Sequence, residues 1–491
     1  MGTKWLIAAA AVLCAIAAPA LAAKDTLTLG MVLEPPILDP TAGAASAIRE
    51  VTLDNLFEGL TRIGPQGEVE PGLAESWTVS PDGRVYTFKL HSGVKFHDGT
   101  PFDCKIVQFS YGRAVAPDSV NAQKQLFQPI EKTECPDPLT AVVSLKQPTS
   151  AFLFDMGWGD AVMVAPSSAA SNKTRPVGTG PFRLKRWMKG DRVELERNPD
   201  YWGRPAKLAV VTFKFIADPS AATAAMLAGD IDAFPNFPAP ETLAQFRHDQ
   251  RFTVDVGLTE GKTIVALNEA RKPFDDVRVR RALTFAVDRK ALIAALGGFG
   301  APIGSHYVPQ DPGYIDLTGV YPYDPAKAKQ LLAEAGVKPG TAITVMLPPP
   351  SYARRGGEVI AAMLQQVGID AKLVPIEWAQ WLDQVFRRSD YDATIISHTE
   401  ARDLDIYARA HYYFNYHSPA YDALYAKYAT AVDPKQELAL VGDLQRKLAE
   451  DEANVFLFAL PKLGVWNAKL RGLWHNEPLP ANDVTAVGWS D

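Results

Sequence analysis

The stretch from Thr341 to Arg402 constrains the fold of this chain more than any other. It reads as strand, helix, strand, helix, strand, each with its own punctuation. Ile343 to Leu347 is a short apolar run, stopped by Pro348, Pro349 and Pro350, which cannot donate to a strand ladder. From Arg354 to Gln366 the residues Ile360, Met363, Leu364 and Val367 recur at helical spacing, and Gly368 stands where a helix-ending glycine is expected. Ile369 to Ile376 is extended again. Ala379 to Arg388 predicts a second helix with Leu382, Val385 and Phe386 on one face, and Asp392 to Ser397 is the third apolar run. Strands alternating with helices of this length pair in parallel through right-handed crossovers. In such sheets a ligand sits beyond the carboxyl ends of the strands. Ser351 and Tyr352, Glu377 and Trp378, and Ser397 through Arg402 therefore belong to one rim. That set suits a polar organic ligand; it also fits loop ends that are merely solvated.

At 491 residues the chain exceeds what one core serves, so two or three domains are expected. A net charge of −6 argues against a nucleic-acid partner, which needs a basic field. Lys4, the apolar run Trp5 to Ala18 and the small-x-small site Ala20-Leu21-Ala22 read as a secretory signal peptide over residues 1–22. Leu13 before Cys14 does not fit a lipoprotein cleavage site. The expected location is periplasmic. Past the signal only Cys104 and Cys135 remain. In an oxidising compartment they are expected to be bridged, the alternative being two buried thiols.

Further motifs follow in order. Thr26 to Leu33 predicts a strand running into Glu34-Pro35-Pro36. A β-rich stretch has Tyr86, Phe88 and Leu90 in alternation, separated by the turn pairs Asp82-Gly83, Ser92-Gly93 and Asp98-Gly99. Leu73-Ala74-Glu75-Ser76-Trp77, Ser80-Pro81-Asp82-Gly83, Tyr86-Thr87-Phe88 and the run Gly93 to Phe102 (GVKFHDGTPF) together resemble the signature of bacterial extracellular solute-binding proteins of family 5, the peptide- and nickel-type receptors of ABC importers. Gly178-Thr179-Gly180-Pro181-Phe182, Asn198-Pro199-Asp200-Tyr201-Trp202 and Pro273 to Leu283 are similar to later family blocks. Between the first two, Phe182 to Trp187 and Arg192 to Glu196 predict a hairpin turning at Lys189-Gly190-Asp191. Pro273 to Leu283 opens a long helix, with Asp276 as its cap and Ala282, Phe285, Ala286, Arg289 and Leu292 on one face.

The resemblance implies an α/β protein of the periplasmic binding protein-like type II class, two α/β lobes with a hinge plus an extra β-rich domain. Lobe I would comprise residues 24–64, 177–262 and 465–491, domain II residues 65–176, and lobe III, which closes on the ligand, residues 263–464. Hinge crossings are expected near Gly261 and Gly464. By the same resemblance an aspartate that holds a peptide's ammonium would fall on Ala401, a departure that Glu400, Asp403 or Asp405 could make good. Arg402 could pair a ligand carboxylate, or form a structural salt bridge. Ser397 and His398 take the place of a Gly-Trp pair, and Trp378 matches a tryptophan beside the cleft. The expected ligand-binding set is Leu33, Glu34, Tyr352, Trp378, Ser397, His398, Thr399, Glu400, Arg402 and Asp403.

Enzyme motifs do not survive inspection. Gly261-Lys262-Thr263 resembles the end of a phosphate loop, but Val256 stands where its first glycine belongs. The eight histidines show no metal spacing, and Asp403 with Asp405 fits solvated charge better than acid–base work. The resemblance thus implies a non-catalytic receptor, a monomer with no cofactor and no metal. It would bind a small-molecule or short-peptide ligand and deliver it to an ABC permease of the inner membrane. A peptide or peptide-like solute is the first expectation; an opine, oligosaccharide or metal chelate is the second; a periplasmic hydrolase or holdase is the third.

Overall fold

The computed structural model describes residues 24–490, so the expected signal peptide lies outside the described residues. Its backbone is organised by one sheet of eleven strands. From one edge the order is Ile369–Pro375, Thr341–Leu347, Ala393–His398, Phe252–Leu267, Val455–Asn467, Ala233–Phe234, Thr26–Met31, Val210–Phe215, Arg192–Arg197 and Phe182–Met188, with Ala301–Pro302 pairing beside Val455–Asn467. No helix among the described residues is long and apolar enough to cross a membrane.

The Thr341–Arg402 region folds as its punctuation predicts. Thr341–Leu347 pairs in parallel with Ile369–Pro375 and with Ala393–His398, so all three strands end on one side. The helix between the first two begins immediately after the prolines, as Ser351–Gln366, and Gly368 adopts φ +92°. Gly357 brings that helix onto the strand, since a Cβ there would lie 2.8 Å from the Leu347 side chain. The second helix departs from expectation. After one turn, Trp378–Gln380, it continues as a π-helix over Trp381–Arg387. Its i→i+5 bonds widen the turn, and Trp381 and Val385 face the core while Leu382 and Phe386 are left exposed.

Two long strands, Phe252–Leu267 and Val455–Asn467, run antiparallel through the middle of the sheet. Their register holds from Phe252↔Asn467 to Leu258↔Pro461 and resumes at Lys262↔Ala459, leaving Thr259, Glu260 and Gly261 as a bulge. Gly464 pairs regularly with Asp255; the second strand leaves Leu460 unpaired opposite the bulge and, where the register shifts again between Thr263↔Phe458 and Ile264↔Phe456, Leu457 as well. Below the bulge the strand residues Val254, Val256, Leu463 and Val465 pack with Phe234, Phe237 and Phe246. Above it Ile264 and Phe456 pack with the aromatic group of Tyr407, Tyr413, Phe414 and Tyr421.

The β-rich segment makes a separate sheet ordered Ala74–Val79, Val85–Leu90, Thr140–Leu145, Ile130–Asp137. Tyr86, Phe88 and Leu90 point into its core, and the helix Cys104–Val115 covers it. The Asp103 carboxylate caps that helix by accepting from the Lys105 and Ile106 amides. A disulfide ties its first residue, Cys104, to Cys135 in the edge strand. The hairpin Phe182–Met188/Arg192–Arg197 turns at Gly190 as expected. The single long helix expected after Pro273 is instead two, Val277–Ala286 and Arg289–Ala295, because the Asp288 carboxylate caps a new start at the Lys290 and Ala291 amides.

The cross-link closes a loop spanning 31 residues. Replacing both cysteines by serine is expected to lower unfolding free energy by about 3–4 kcal/mol, read by urea denaturation in the absence of reductant. A loss below about 1 kcal/mol would show that the bridge adds little to the native fold.

Candidate ligand cleft

Where the three parallel strands end, the structure encloses a cleft of about 450 Å³ against the opposite part of the big sheet. One wall carries Ser351, Tyr352 and Thr399, the first turn of a helix and the loop after a strand. The floor is the strand bulge, Thr259, Glu260 and Gly261, with Leu460 and Pro461 beside it. The far wall carries Ser46, Glu50, Asn236, Phe237, Glu477 and Leu479, while Leu296, Phe299 and Phe458 complete the apolar side. Ser46 and Glu50 stand four apart on the helix Ser46–Thr52 and so share a face. Glu477 is fixed because its amide donates to the Leu258 carbonyl, 2.9 Å away.

The electrostatics of this cleft are one-sided. Asn236 donates to Glu477 at 2.9 Å, and Gln310 donates to Glu260 at 3.1 Å. Among the described residues none of Glu50, Glu260 and Glu477 joins a salt bridge with a lysine, arginine or histidine. Burial, then the proximity of Glu477, pushes the Glu50 carboxyl up to about 7. Burial raises Glu477 too, against the pull of Lys462. Glu260 is raised well above the usual carboxylate range by burial and by Asp311 beside it.

Of the expected site residues, Tyr352 and Thr399 line the cleft. Ser397 stands behind them, its unpartnered hydroxyl against Gly261. The others are elsewhere. The strand Thr26–Met31 stops short of Leu33, which is 61 % exposed. Glu34 accepts from the Trp187 indole and the Gly190 amide, both at 3.0 Å, and so is spent on the hairpin. Trp378 is 41 % exposed and meets Trp381 edge-on outside the cleft. Glu400 points to solvent, although its carbonyl accepts from Lys262. Arg402, in the left-handed region at φ +55°, donates to the Gly67 carbonyl at 2.8 Å and lies 4.1 Å from the Phe154 ring centroid. It therefore reaches across to the β-rich side and does not face the cleft. Ala401 packs beside it against the core that contains Leu27 and Phe213.

Asp403 and His398 belong to a buried network beneath the cleft. Lys262 Nζ lies 2.7 Å from Asp403, and His306 Nε2 3.2 Å from it. Burial alone would raise the Asp403 carboxyl, but Lys262 and His306 outweigh that and hold it well below the usual range. His306 Nδ1 meets the Tyr407 hydroxyl at 3.0 Å, and His398 Nε2 meets that of Tyr413 at 2.8 Å. Burial and the neighbouring His306 push His398 down to about 3, so its imidazole is neutral. His306, His398 and Asp403 converge closely enough to hold a metal ion. Lys262 already supplies the cation, however, and both ring nitrogens of His306 are engaged. The trio is invisible to spacing, because His306 lies far from the other two in sequence. Glu50, Glu477, Phe237 and Phe299 were likewise missed, since each comes from a different segment. Only Glu260, next to the glycine expected at a crossing, carried a signal.

The comparisons with known proteins agree with this architecture. Residues 68–424 match the model for bacterial extracellular solute-binding proteins, family 5 Middle. The glutathione-binding protein GsiB of Salmonella paratyphi A is 33 % identical over 386 residues, 77 % of this chain and 74 % of that protein. The structure of HbpA2 from Haemophilus parasuis superposes with a TM-score of 0.85 at 24 % identity, covering 95 % of this chain and all of that one, a likeness of fold. The periplasmic binding protein DppA from Helicobacter pylori, in complex with the peptide STSA, gives a TM-score of 0.79 at 25 % identity over 96 % of this chain and 99 % of that one. The chain thus belongs to family 5 of the bacterial extracellular solute-binding proteins.

Proposed function

We propose that this chain is the periplasmic receptor of an ABC importer, taking a peptide-like or other small organic solute into the cleft and presenting the closed form to a membrane permease. One observation carries this reading: the cleft lies at the bulge of two long paired strands, Phe252–Leu267 and Val455–Asn467, and residues on both sides of it contribute to the lining. Residues 24–64, 177–262 and 465–491 would form one lobe, 65–176 an added domain, and 263–464 the lobe that swings. The crossings are Leu258–Lys262 and Ala459–Pro461, where the ladder is already interrupted. A bulge absorbs backbone rotation at less cost than a regular ladder.

The contacts across the gap support a closed conformation. Arg402 bonds to Gly67, and the Ser150 amide donates to the Ala429 carbonyl at 3.1 Å. A solute touching both walls favours this form over the open one by its differential contacts, with no covalent step. GsiB is named for glutathione and the DppA complex holds a peptide, which favours a peptide-sized guest over an oligosaccharide. Residues 1–22 would direct export and be removed.

The receptor reading is tested by native mass spectrometry of protein purified without refolding, followed by calorimetry with the solute found. One-to-one binding without turnover is expected; product formation would favour a hydrolase instead. Tyr352→Ala is expected to weaken binding of that solute by about 1–2 kcal/mol. Trp378→Ala, outside the cleft, is expected to change it by less than about 0.5 kcal/mol; the reverse order would relocate the site. Arg402→Ala removes a cross-gap contact without touching the lining. It is expected to weaken binding at least about fivefold and to enlarge the radius of gyration of the ligand-saturated protein in X-ray scattering. No change in either would remove Arg402 from closure.

A further inference from the structure

We propose that the solute is an organic cation, a protonated amine or guanidine on an apolar or aromatic body, held by Glu50, Glu260 and Glu477. This rests on the cleft being the binding site, as proposed above.

Three acidic side chains line the cleft, and no lysine, arginine or histidine is among the residues that do. The nearby cations are committed elsewhere. Lys262 is turned to Asp403 at 2.7 Å, and Lys462 donates to the Trp474 carbonyl at 2.7 Å. Glu260 is only 3 % exposed, forms no salt bridge among the described residues, and has a second acid, Asp311, within hydrogen-bond reach. A desolvated carboxylate without a cation is costly. The upward shift of Glu50 and Glu477 expresses the same cost. An ammonium or guanidinium entering the cleft would donate to these oxygens and remove the mutual repulsion of Glu50 and Glu477, through charge-assisted hydrogen bonds.

The remaining lining suits the rest of such a molecule. Phe237, Phe299, Tyr352 and Phe458 offer aromatic faces and edges, on which a cation or its hydrocarbon stem is favourably placed. A solute with net negative charge would meet acidic side chains on the far wall and the floor and no basic side chain among the lining residues. The geometry therefore selects against a dicarboxylate and for an amine, including a short peptide whose ammonium or basic side chain enters first.

The test uses the full exported protein, calorimetry and a paired panel. Agmatine, tyramine and L-phenylalaninamide are compared with their N-acetylated forms and with the anion N-acetyl-L-phenylalanine. At least one free amine or guanidine is expected to bind one-to-one. Its acetylated partner, where acetylation removes the charge, is expected to bind at least about tenfold more weakly. Glu50→Gln and Glu477→Gln should each lower affinity for that amine about tenfold, while the melting temperature of the unliganded protein stays level or rises. A retained or preferred solute that is anionic, or glutamine variants that bind the amine unchanged, would overturn the charge assignment and leave the receptor reading standing. Absence of one-to-one binding by any solute, retained or added, would overturn the receptor reading itself.

Discussion

Everything in this molecule depends on the ladder between Phe252–Leu267 and Val455–Asn467 losing its register over Leu258–Lys262. Residues along a strand alternate in direction, and a bulge changes that alternation downstream. Here the change lets Glu260 and Gly261 face the cleft while Lys262, one residue on, is buried at 1 % exposure beneath it. Prolonging the regular ladder through these residues would reverse one of the two. On the proposed lobe assignment the two walls would articulate at the same irregularity. Site and articulation would then follow from one local defect.

Lys262 then explains why the loop after Ala393–His398 is rigid enough to serve as a wall. Its ammonium contacts Asp403 and the Glu400 carbonyl, and His306 fixes the other carboxylate oxygen. A buried pair of this kind adds little net stability over an apolar equivalent, because both ions lose water. Breaking one partner is costly, since it leaves the other buried and unpaired. The loop presents Thr399 to the cleft and throws Arg402 outward to Gly67. Asp403 and Arg402 are consumed in building the wall while the Glu400 side chain points to solvent, and the acidic groups left to meet a solute come from the floor and the far wall.

This division marks how far the sequence could be read. The prolines at 348–350, the glycine at 368 and the apolar spacing around Ile360 dictate local backbone, and the parallel strands followed from them. The same reasoning located a rim, and Tyr352 and Thr399 do lie on it. Spacing does not say which way a rim residue turns. Leu382 and Phe386 are left exposed where the helix widens into a π-turn and Trp381 and Val385 pack inward, and Trp378, in the turn before it, is exposed too; none of this shows in the periodicity. Glu34 fits an open strand end equally well until the hairpin folds back and claims its carboxylate. Glu50 and Glu477 were illegible for a topological reason: more than four hundred residues separate them, and only the folded sheet brings them to one cavity.

The asymmetry of the two walls bears on how closing can be coupled to binding. The Arg402–Gly67 and Ser150–Ala429 bonds and the packing of Ala401 would, on the proposed lobe assignment, hold the gap shut, and none of these residues lines the cleft. Those contacts are available with or without a guest, so they cannot by themselves discriminate a loaded receptor from an empty one. Discrimination must come from a cost that only a guest removes. On the proposed reading, shutting the gap over Glu50, Glu260 and Glu477 takes their carboxyls out of water with no salt bridge to any of them among the described residues, which would oppose closure of the empty form. Contacts that favour the shut state are, on that reading, opposed by charges that a guest would neutralise. Neutralising those charges would then tip the balance toward the shut form.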